Sequence, residues 1–240
     1  MKRNLLLLVA MILVLSAAPA LAQTVKKPFN GTDLTGWKTN GNQENVWKVG
    51  KLTATAATME LAPLSDGDSA NAVLANMVPA NWNRPPRKGV DLYTEEKFGD
   101  CTVKVEFLIT KGSNSGVYLM GEYEVQIQDS FGKPDDRLGQ GDMGALYSAA
   151  APSVNACGEP GTWQKYEIEF VAPKFDADGN KTANALFKKV VLNGKVVQEN
   201  VEVKAPTGGG VTMKEAPTGP LMFQGNHGPV VFRNIEVIVP

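Results

Sequence analysis

The sequence has one histidine, two cysteines and no excess of basic residues, and each scarcity excludes a class of function. A zinc site of three histidines, or of two histidines and a glutamate, is excluded because His227 is the only histidine. The formal net charge is −1 and no basic patch follows the chain, so we expect no nucleic-acid partner. No amphipathic segment is long enough for a helix of more than two turns, which favours an all-β domain.

The state of Cys101 and Cys157 is left open by the sequence. An exported protein can join two cysteines in a disulfide, but sequence spacing does not show whether their Cα atoms come close enough. Two separate buried thiols are the alternative, and this is the interpretation we favour. Neither cysteine has a neighbouring base in the sequence that would activate it as a nucleophile.

Residues 1–22 have the three parts of a secretory signal peptide. Lys2 and Arg3 form a basic start, an apolar run extends from Leu5 to Leu15, and Ala20-Leu21-Ala22 is a small-x-small cleavage site. The apolar run is too short to span a bilayer comfortably. We therefore expect a periplasmic or extracellular protein that begins at Gln23 and has no membrane contact after cleavage.

Short alternating segments recur along residues 23–240 and predict a single domain of many strands. Apolar and polar residues alternate in Cys101–Ile109 and again in Trp163–Val171, as in strands with one buried face. Asn193-Gly194 separates two further segments and is a strong β-hairpin signal. Many short strands at even spacing are typical of a β-sandwich or a jelly roll.

The stretch most informative about function is residues 112–132, GSNSGVYLMGEYEVQIQDSFG. It predicts two strands around a turn at Gly121, and the polar face of the second strand carries Glu124, Gln126 and Gln128. Carboxylate and amide groups at fixed spacing suit a polyhydroxylated ligand such as a sugar. A solvated face of an antiparallel sheet is an equally supported interpretation of this stretch alone. On such a face Glu124 would contribute little to stability.

Two long irregular stretches, Leu64–Lys88 and Gly132–Gly161, are expected to rim a cleft on one sheet. Loops of this length in a compact domain tend to be functional, and surface excursions are the alternative. Trp82 lies in the first stretch, where its apolar face could stack on a sugar ring. Trp37 and Trp47 are expected in the core.

Three ordered blocks resemble the 3-keto-disaccharide hydrolase domain family, formerly a domain of unknown function. They are the stretch above, then APSVNACGEPGTWQKYEIEFVAPKFDADGNKTANA, then GPLMFQGNHGPVVFRNIEV, and PFNGTDLTGWK matches the family's usual start. The resemblance runs from about Phe29 to Val239. It implies a concanavalin-like jelly-roll β-sandwich of two antiparallel sheets, activity on 3-keto-glycosides or 3-keto-disaccharides, and a place near the ligand pocket for His227.

The ketone of such a sugar makes the C2 proton acidic, so a base can remove it and expel the group at C1 before water adds. Carboxyl groups and an imidazole can act as the acid or the base. The predicted catalytic residues are therefore Glu124, Asp129 and His227. The predicted substrate-binding residues, on a groove of the concave sheet, are Glu106, Asn114, Tyr118, Gln126, Gln224 and Trp82. A structural role in capping a turn is the alternative for His227.

No cofactor is required by the sequence, although a divalent metal ion is one way to polarise the ketone. Mixed oxygen and nitrogen ligands suit Ca²⁺ or a transition ion only weakly. The chain departs from the resemblance at Leu108 and Met120, where arginines are frequent in the family. A cationic substrate contact is then missing, or it comes from Arg137 or Arg233. The alternative functions are a non-catalytic carbohydrate-binding domain and a scaffold domain without a ligand.

Overall fold

The computed structural model describes residues 23–41, 43–53, 59–65, 67–78 and 89–240. Within those ranges the chain is nearly all β, with two short 3₁₀ helices at Asp68–Asn71 and Asp135–Arg137. The strands in chain order are β1 (Thr24–Lys26), β2 (Trp37–Asn40), β3 (Trp47–Leu52), β4 (Leu61–Ala62), β5 (Val73–Asn76), β6 (Asp91–Phe98), β7 (Cys101–Ile109), β8 (Asn114–Leu119), β9 (Tyr123–Gln128), β10 (Gln164–Val171), β11 (Lys174–Phe175), β12 (Lys181–Ala183), β13 (Ala185–Leu192), β14 (Lys195–Val203), β15 (Gly219–Phe223) and β16 (Val230–Val239). No helix in these ranges is long and apolar enough to cross a membrane.

Two antiparallel sheets build a sandwich. The larger sheet has the order β14-β13-β10-β7-β16-β5-β3-β4, and β1 pairs with β16. The smaller sheet has the order β2-β6-β15-β8-β9, while β11 and β12 form a separate hairpin. This architecture confirms the predicted concanavalin-like jelly-roll β-sandwich.

One apolar core fills the space between the two sheets. Seven inward residues of β7, β8 and β9 are each at most 1% exposed and belong to one cluster: Val103, Val105, Phe107, Val117, Leu119, Val125 and Ile127. Phe223 of the smaller sheet stacks on Phe232 of the larger one, with ring centroids 4.0 Å apart. Burial of alternate residues fixes which side chains of β8 and β9 are left on the outer face.

Two of the sequence-based predictions about turns and loops have different outcomes. Asn193-Gly194 joins β13 to β14, with positive φ angles of 50° and 82°, as predicted for this hairpin. The prediction of one irregular stretch over Leu64–Lys88 is wrong where β5 lies, since Val73–Asn76 is a buried strand between β16 and β3. A run of four residues is too short to show a period. Residues 79–88, which include Trp82, lie outside the described residues.

The two cysteines are separate thiols. Cys101 is buried in β7 and Cys157 is half-buried in the loop before β10. Burial raises the pKa of Cys101 to about 12 and that of Cys157 to about 11. Both thiols therefore stay protonated near neutral pH and are weak nucleophiles.

Candidate active site

The outer face of the smaller sheet carries aligned polar residues from three neighbouring strands. Tyr118 of β8 lies opposite Glu124 of β9, and Gly116 lies opposite Gln126. The backbone N–H of Gln224, just after β15, donates to the Gly116 carbonyl over 3.0 Å. Gln224, Gly116 and Gln126 therefore form one row across the sheet, and Tyr118 and Glu124 belong to the next row.

A cavity of about 360 Å³ lies on this face and brings six predicted residues together. It is lined by Asn114, Tyr118, Glu124, Gln126, Tyr147, Gly208, Gly209, Gln224 and His227. Three lining residues from two loops were not predicted from the sequence: Tyr147, Gly208 and Gly209. The Gly132–Gly161 loop does rim the site, as expected, because Tyr147 donates its backbone N–H to the Glu124 carbonyl over 3.2 Å.

The carboxyl group of Glu124 lies directly over Gly116. A Cβ atom on residue 116 would collide with Glu124 Oε1, so only glycine leaves room for the carboxyl group in this position. Glu124 is 2% exposed, and its Oε1 has no hydrogen-bond partner among the described residues. A buried acceptor without a donor costs about 1–3 kcal/mol, which a hydroxyl group of a ligand would offset.

Gln126 and Gln224 line the same cavity and, within the described chain, each has a buried, unpaired acceptor. Both side chains are buried, and the Oε1 atom of each has no partner in the part of the chain that is described. Nε2 of Gln224 donates to the Tyr118 hydroxyl over 3.2 Å. Three unpaired oxygens at one cavity suit a neutral ligand with several hydroxyl donors.

The environment of Glu124 favours its protonated form. Burial raises the pKa of Glu124 to about 8, a hydrogen bond with Tyr118 opposes this rise, and the negative charge of Asp91 adds to it. Burial also raises the pKa of Tyr118 far above its usual value, so the hydroxyl remains a hydrogen-bond donor. A carboxyl group that titrates near neutral pH can both give and take a proton.

His227 lies in the turn between β15 and β16 and contributes the one imidazole of the chain. Its Nδ1 contacts Oδ1 of Asn226. An amide oxygen can only accept a hydrogen bond, so this contact is compatible with the tautomer of the neutral ring that carries its proton on Nδ1. Asn76 braces the turn, since its Nδ2 donates to the carbonyls of Gly225 and Gly228 over 2.7 and 2.9 Å.

The structure corrects the placement of two predicted residues, Glu106 and Asp129, which lie outside the cavity as the described residues form it. Glu106 belongs to β7 of the larger sheet and accepts from Nε of Arg233 over 2.8 Å. Asp129 accepts the backbone N–H of Gly112 over 2.8 Å and closes the base of the β8–β9 hairpin. The alternation in β7 correctly predicted that Glu106 lies on the polar face of its strand. It could not predict which of the two sheets that strand belongs to.

The described residues that line the cavity include no lysine or arginine. Leu108 and Met120 are buried. Arg233 lies over the Trp163 ring at 3.8 Å, and Arg137 is exposed in the second 3₁₀ helix. In the described ranges no group of three or more His, Cys, Asp or Glu residues could hold a metal ion. The described residues therefore provide no set of ligands for a divalent ion.

Fold and site together define a jelly-roll protein with a polar cavity on the outer face of one sheet. The chain belongs to the family of 3-keto-alpha-glucoside-1,2-lyase-like domains, by a match that spans residues 24–238. This match confirms the resemblance seen in the sequence. A comparison with curated proteins found no match.

Solved structures with a similar fold include proteins from Parabacteroides distasonis that are provisionally named glycosyl hydrolases. One is 27% identical, with a TM-score of 0.57, and the alignment covers 92% of both chains. A second is 18% identical, with a TM-score of 0.54, and the alignment covers 89% of this chain and 92% of the other. The second likeness supports the fold alone.

Proposed function

We propose that the protein is an exported enzyme that cleaves 3-keto-glycosides or 3-keto-disaccharides in the cavity around Glu124. The observation that carries this proposal is the buried Glu124 carboxyl group over Gly116, which shares one cavity with His227. Family membership supports the 3-keto substrate. The name given to the 27%-identical structure supports action on a glycosidic bond.

In the proposed reaction His227 is the base. Its Nε2 atom removes the C2 proton, which the neighbouring ketone at C3 makes acidic. The electron pair of the C2–H bond forms the C1=C2 double bond while the C1–O bond breaks. This step requires a neutral imidazole with its proton on Nδ1, the tautomer that is compatible with the Asn226 contact.

Glu124 is the acid in the same step. Because burial raises its pKa to about 8, its carboxyl group holds a proton at neutral pH and gives it to the departing oxygen. The products are an alcohol and a 1,2-unsaturated 3-keto sugar. Water then adds to the double bond: its hydroxyl joins C1, its proton restores Glu124, and His227 returns a proton to C2.

The remaining polar side chains would hold the sugar. The Oε1 atoms of Gln126 and Gln224, which have no partner among the described residues, would accept from ring hydroxyls, and the two residues flank Gly116 in the row across the sheet. Tyr147 and the Gly208-Gly209 backbone close the cavity from the sides. Since no cation lines this part of the described chain, the site is suited to a neutral sugar.

Product release from 3-keto-trehalose or a 3-keto-glucoside, with and without a chelator, tests the proposal. We expect cleavage of the keto substrate, none of the parent glucoside, and one deuterium at C2 of the product when the reaction runs in D₂O. Glu124→Gln and His227→Gln should each lower turnover by ~10²-fold or more. Binding of the keto sugar without turnover would establish a carbohydrate-binding domain. Equal cleavage of the parent glucoside would show that the ketone is not used.

A further inference from the structure

Asp91, at the start of β6, lies in the row of residues that crosses the sheet to the cavity. Leu92 is buried in the core opposite Phe223, so Asp91 faces the outer side and is next to Gln224. Gln224 in turn is next to Gly116. Neighbouring strands are about 4.8 Å apart, so the Asp91 backbone is two strand spacings from Gly116. Asp91 is buried, with 7% of the residue exposed.

The carboxylate of Asp91 holds the turn that carries His227. Its Oδ1 atom accepts the backbone N–H of Gly225 over 2.9 Å. The carbonyl of the same glycine accepts from Asn76, which belongs to the other sheet. Both polar groups of Gly225 are therefore fixed by buried side chains, two residues before His227.

Asp91 also acts on Glu124 through its charge. Burial raises the pKa of Asp91 to about 6, so Asp91 ionises before Glu124. Its negative charge then disfavours a second carboxylate nearby. Among the described residues, the other titratable groups close to Glu124 are Tyr118 of β8, Tyr147 of the covering loop, His227 of the turn and, from the core side, Tyr166 of β10. None of these is a permanent cation that would screen the two carboxyl groups from each other.

We propose that Asp91 is a positioning residue of the active site, which fixes the turn of His227 and keeps Glu124 in its acid form. The role of Asp91 in catalysis rests on the proposed function. The effect of the Asp91 charge on the Glu124 pKa does not depend on that function. Asp91 thereby takes the place of the second carboxyl group that sequence analysis assigned to Asp129. It acts through Glu124 and His227 and is not a lining residue of the cavity.

Asp91→Asn separates the two tasks, because asparagine keeps the acceptor for Gly225 and removes the charge. In the variant the alkaline limb of kcat/KM against pH, which reports Glu124, should move to lower pH by about one unit. KM should change little. Ser115→Ala is the matched uncharged control: its hydroxyl donates to the Gln224 carbonyl over 2.8 Å, so its loss should lower kcat without moving the limb. If Asp91→Asn does not fold, Asp91→Ser removes the same charge with a smaller side chain and carries the same expectation.

A titration of the ¹³C-labelled Glu124 carboxyl by NMR separates this proposal from the proposed function, since it needs no substrate. A lower Glu124 pKa in Asp91→Asn supports the pairing, even if no 3-keto-glycoside is cleaved by the wild type. The proposal would be overturned if the wild type is active and Asp91→Asn changes neither the alkaline limb of kcat/KM nor the Glu124 pKa measured by NMR. An equal shift of the Glu124 pKa in Ser115→Ala would also overturn the proposal, because it would show that loss of a hydrogen bond to this turn, without any change of charge, is enough to shift that pKa.

Discussion

Replacement of Glu124 by glutamine should stabilise the protein while it removes turnover. Glu124 is 2% exposed and its Oε1 has no partner among the described residues, so a charge on this carboxyl group is unfavourable in the fold. Its pKa is about 8 in the folded state against an ordinary value of 4.5. The folded state therefore binds more protons than the unfolded chain between these two pH values. Because of this difference, the free energy of unfolding falls as the pH rises through that window.

The magnitude follows from proton linkage. One proton bound only in the folded state lowers the free energy of unfolding by about 1.4 kcal/mol for each pH unit. Glutamine does not titrate, so this contribution to the decrease in unfolding free energy is absent from the variant. The difference in unfolding free energy between variant and wild type should widen by that amount per unit from about pH 5 to pH 8 and then stay constant. The sequence-based expectation of a negligible effect on stability assumed an exposed face, and the burial of Glu124 overturns it.

Urea unfolding at pH 5, 6, 7 and 8 measures this difference. Glu122→Gln is the matched control, because Glu122 is as buried, at 3% exposed, but its carboxylate is fully engaged. It accepts from N and Oγ1 of Thr212 over 2.8 and 2.7 Å and from N of Met213 over 2.9 Å. The control should destabilise the protein. A Glu124→Gln protein that is less stable than the wild type at pH 7, or a difference that is constant with pH, would refute the argument.

Three further predictions concern the floor of the cavity, the core and export. Gly116→Ala should lower kcat about as far as Glu124→Gln does, because its Cβ displaces the Glu124 carboxyl group; unchanged steady-state kinetics would contradict that placement. Ile127→Ala should lower the free energy of unfolding by about 2–5 kcal/mol in urea titrations, since Ile127 is fully buried, and a loss below that range would argue against the described packing. Intact-mass measurement of protein from the periplasm or the medium should show a chain that begins at Gln23, and a mass that retains residues 1–22 would count against export.

Much of the fold could be predicted because alternation is a local property of the chain. In β7 and β9 it assigned six inward residues correctly to one face, and all six are buried in the core: Val103, Val105, Phe107, Tyr123, Val125 and Ile127. Asn193-Gly194 indicated one hairpin. What alternation could not show was the partner of each strand. Glu106 was placed in the cavity for this reason, although β7 lies between β10 and β16 of the larger sheet.

Much of the lining of the candidate cavity was predicted from the sequence, but the residues that distant segments bring to it were not. The period of two found Glu124 and Gln126, and family resemblance pointed to His227. Asp91 gave no signal, because its role depends on Gly225, which is 134 positions away in the sequence. The burial of Glu124 could not be predicted from the sequence either, because it results from two distant loops that pack against β9.

Those two loops also close the outer edge of β9. The backbone N–H of Gln126 donates to the Ala145 carbonyl over 2.9 Å, and the backbone N–H of Glu124 donates to Oγ1 of Thr207 over 2.9 Å. An open edge strand is a template for pairing with other chains and for aggregation. The two loops that form the walls of the cavity therefore also cover the edge strand β9 and protect it from pairing with other chains. Shortening either loop to admit a larger sugar would expose the strand that carries Glu124, so solubility as well as catalysis limits how far this cavity can be widened.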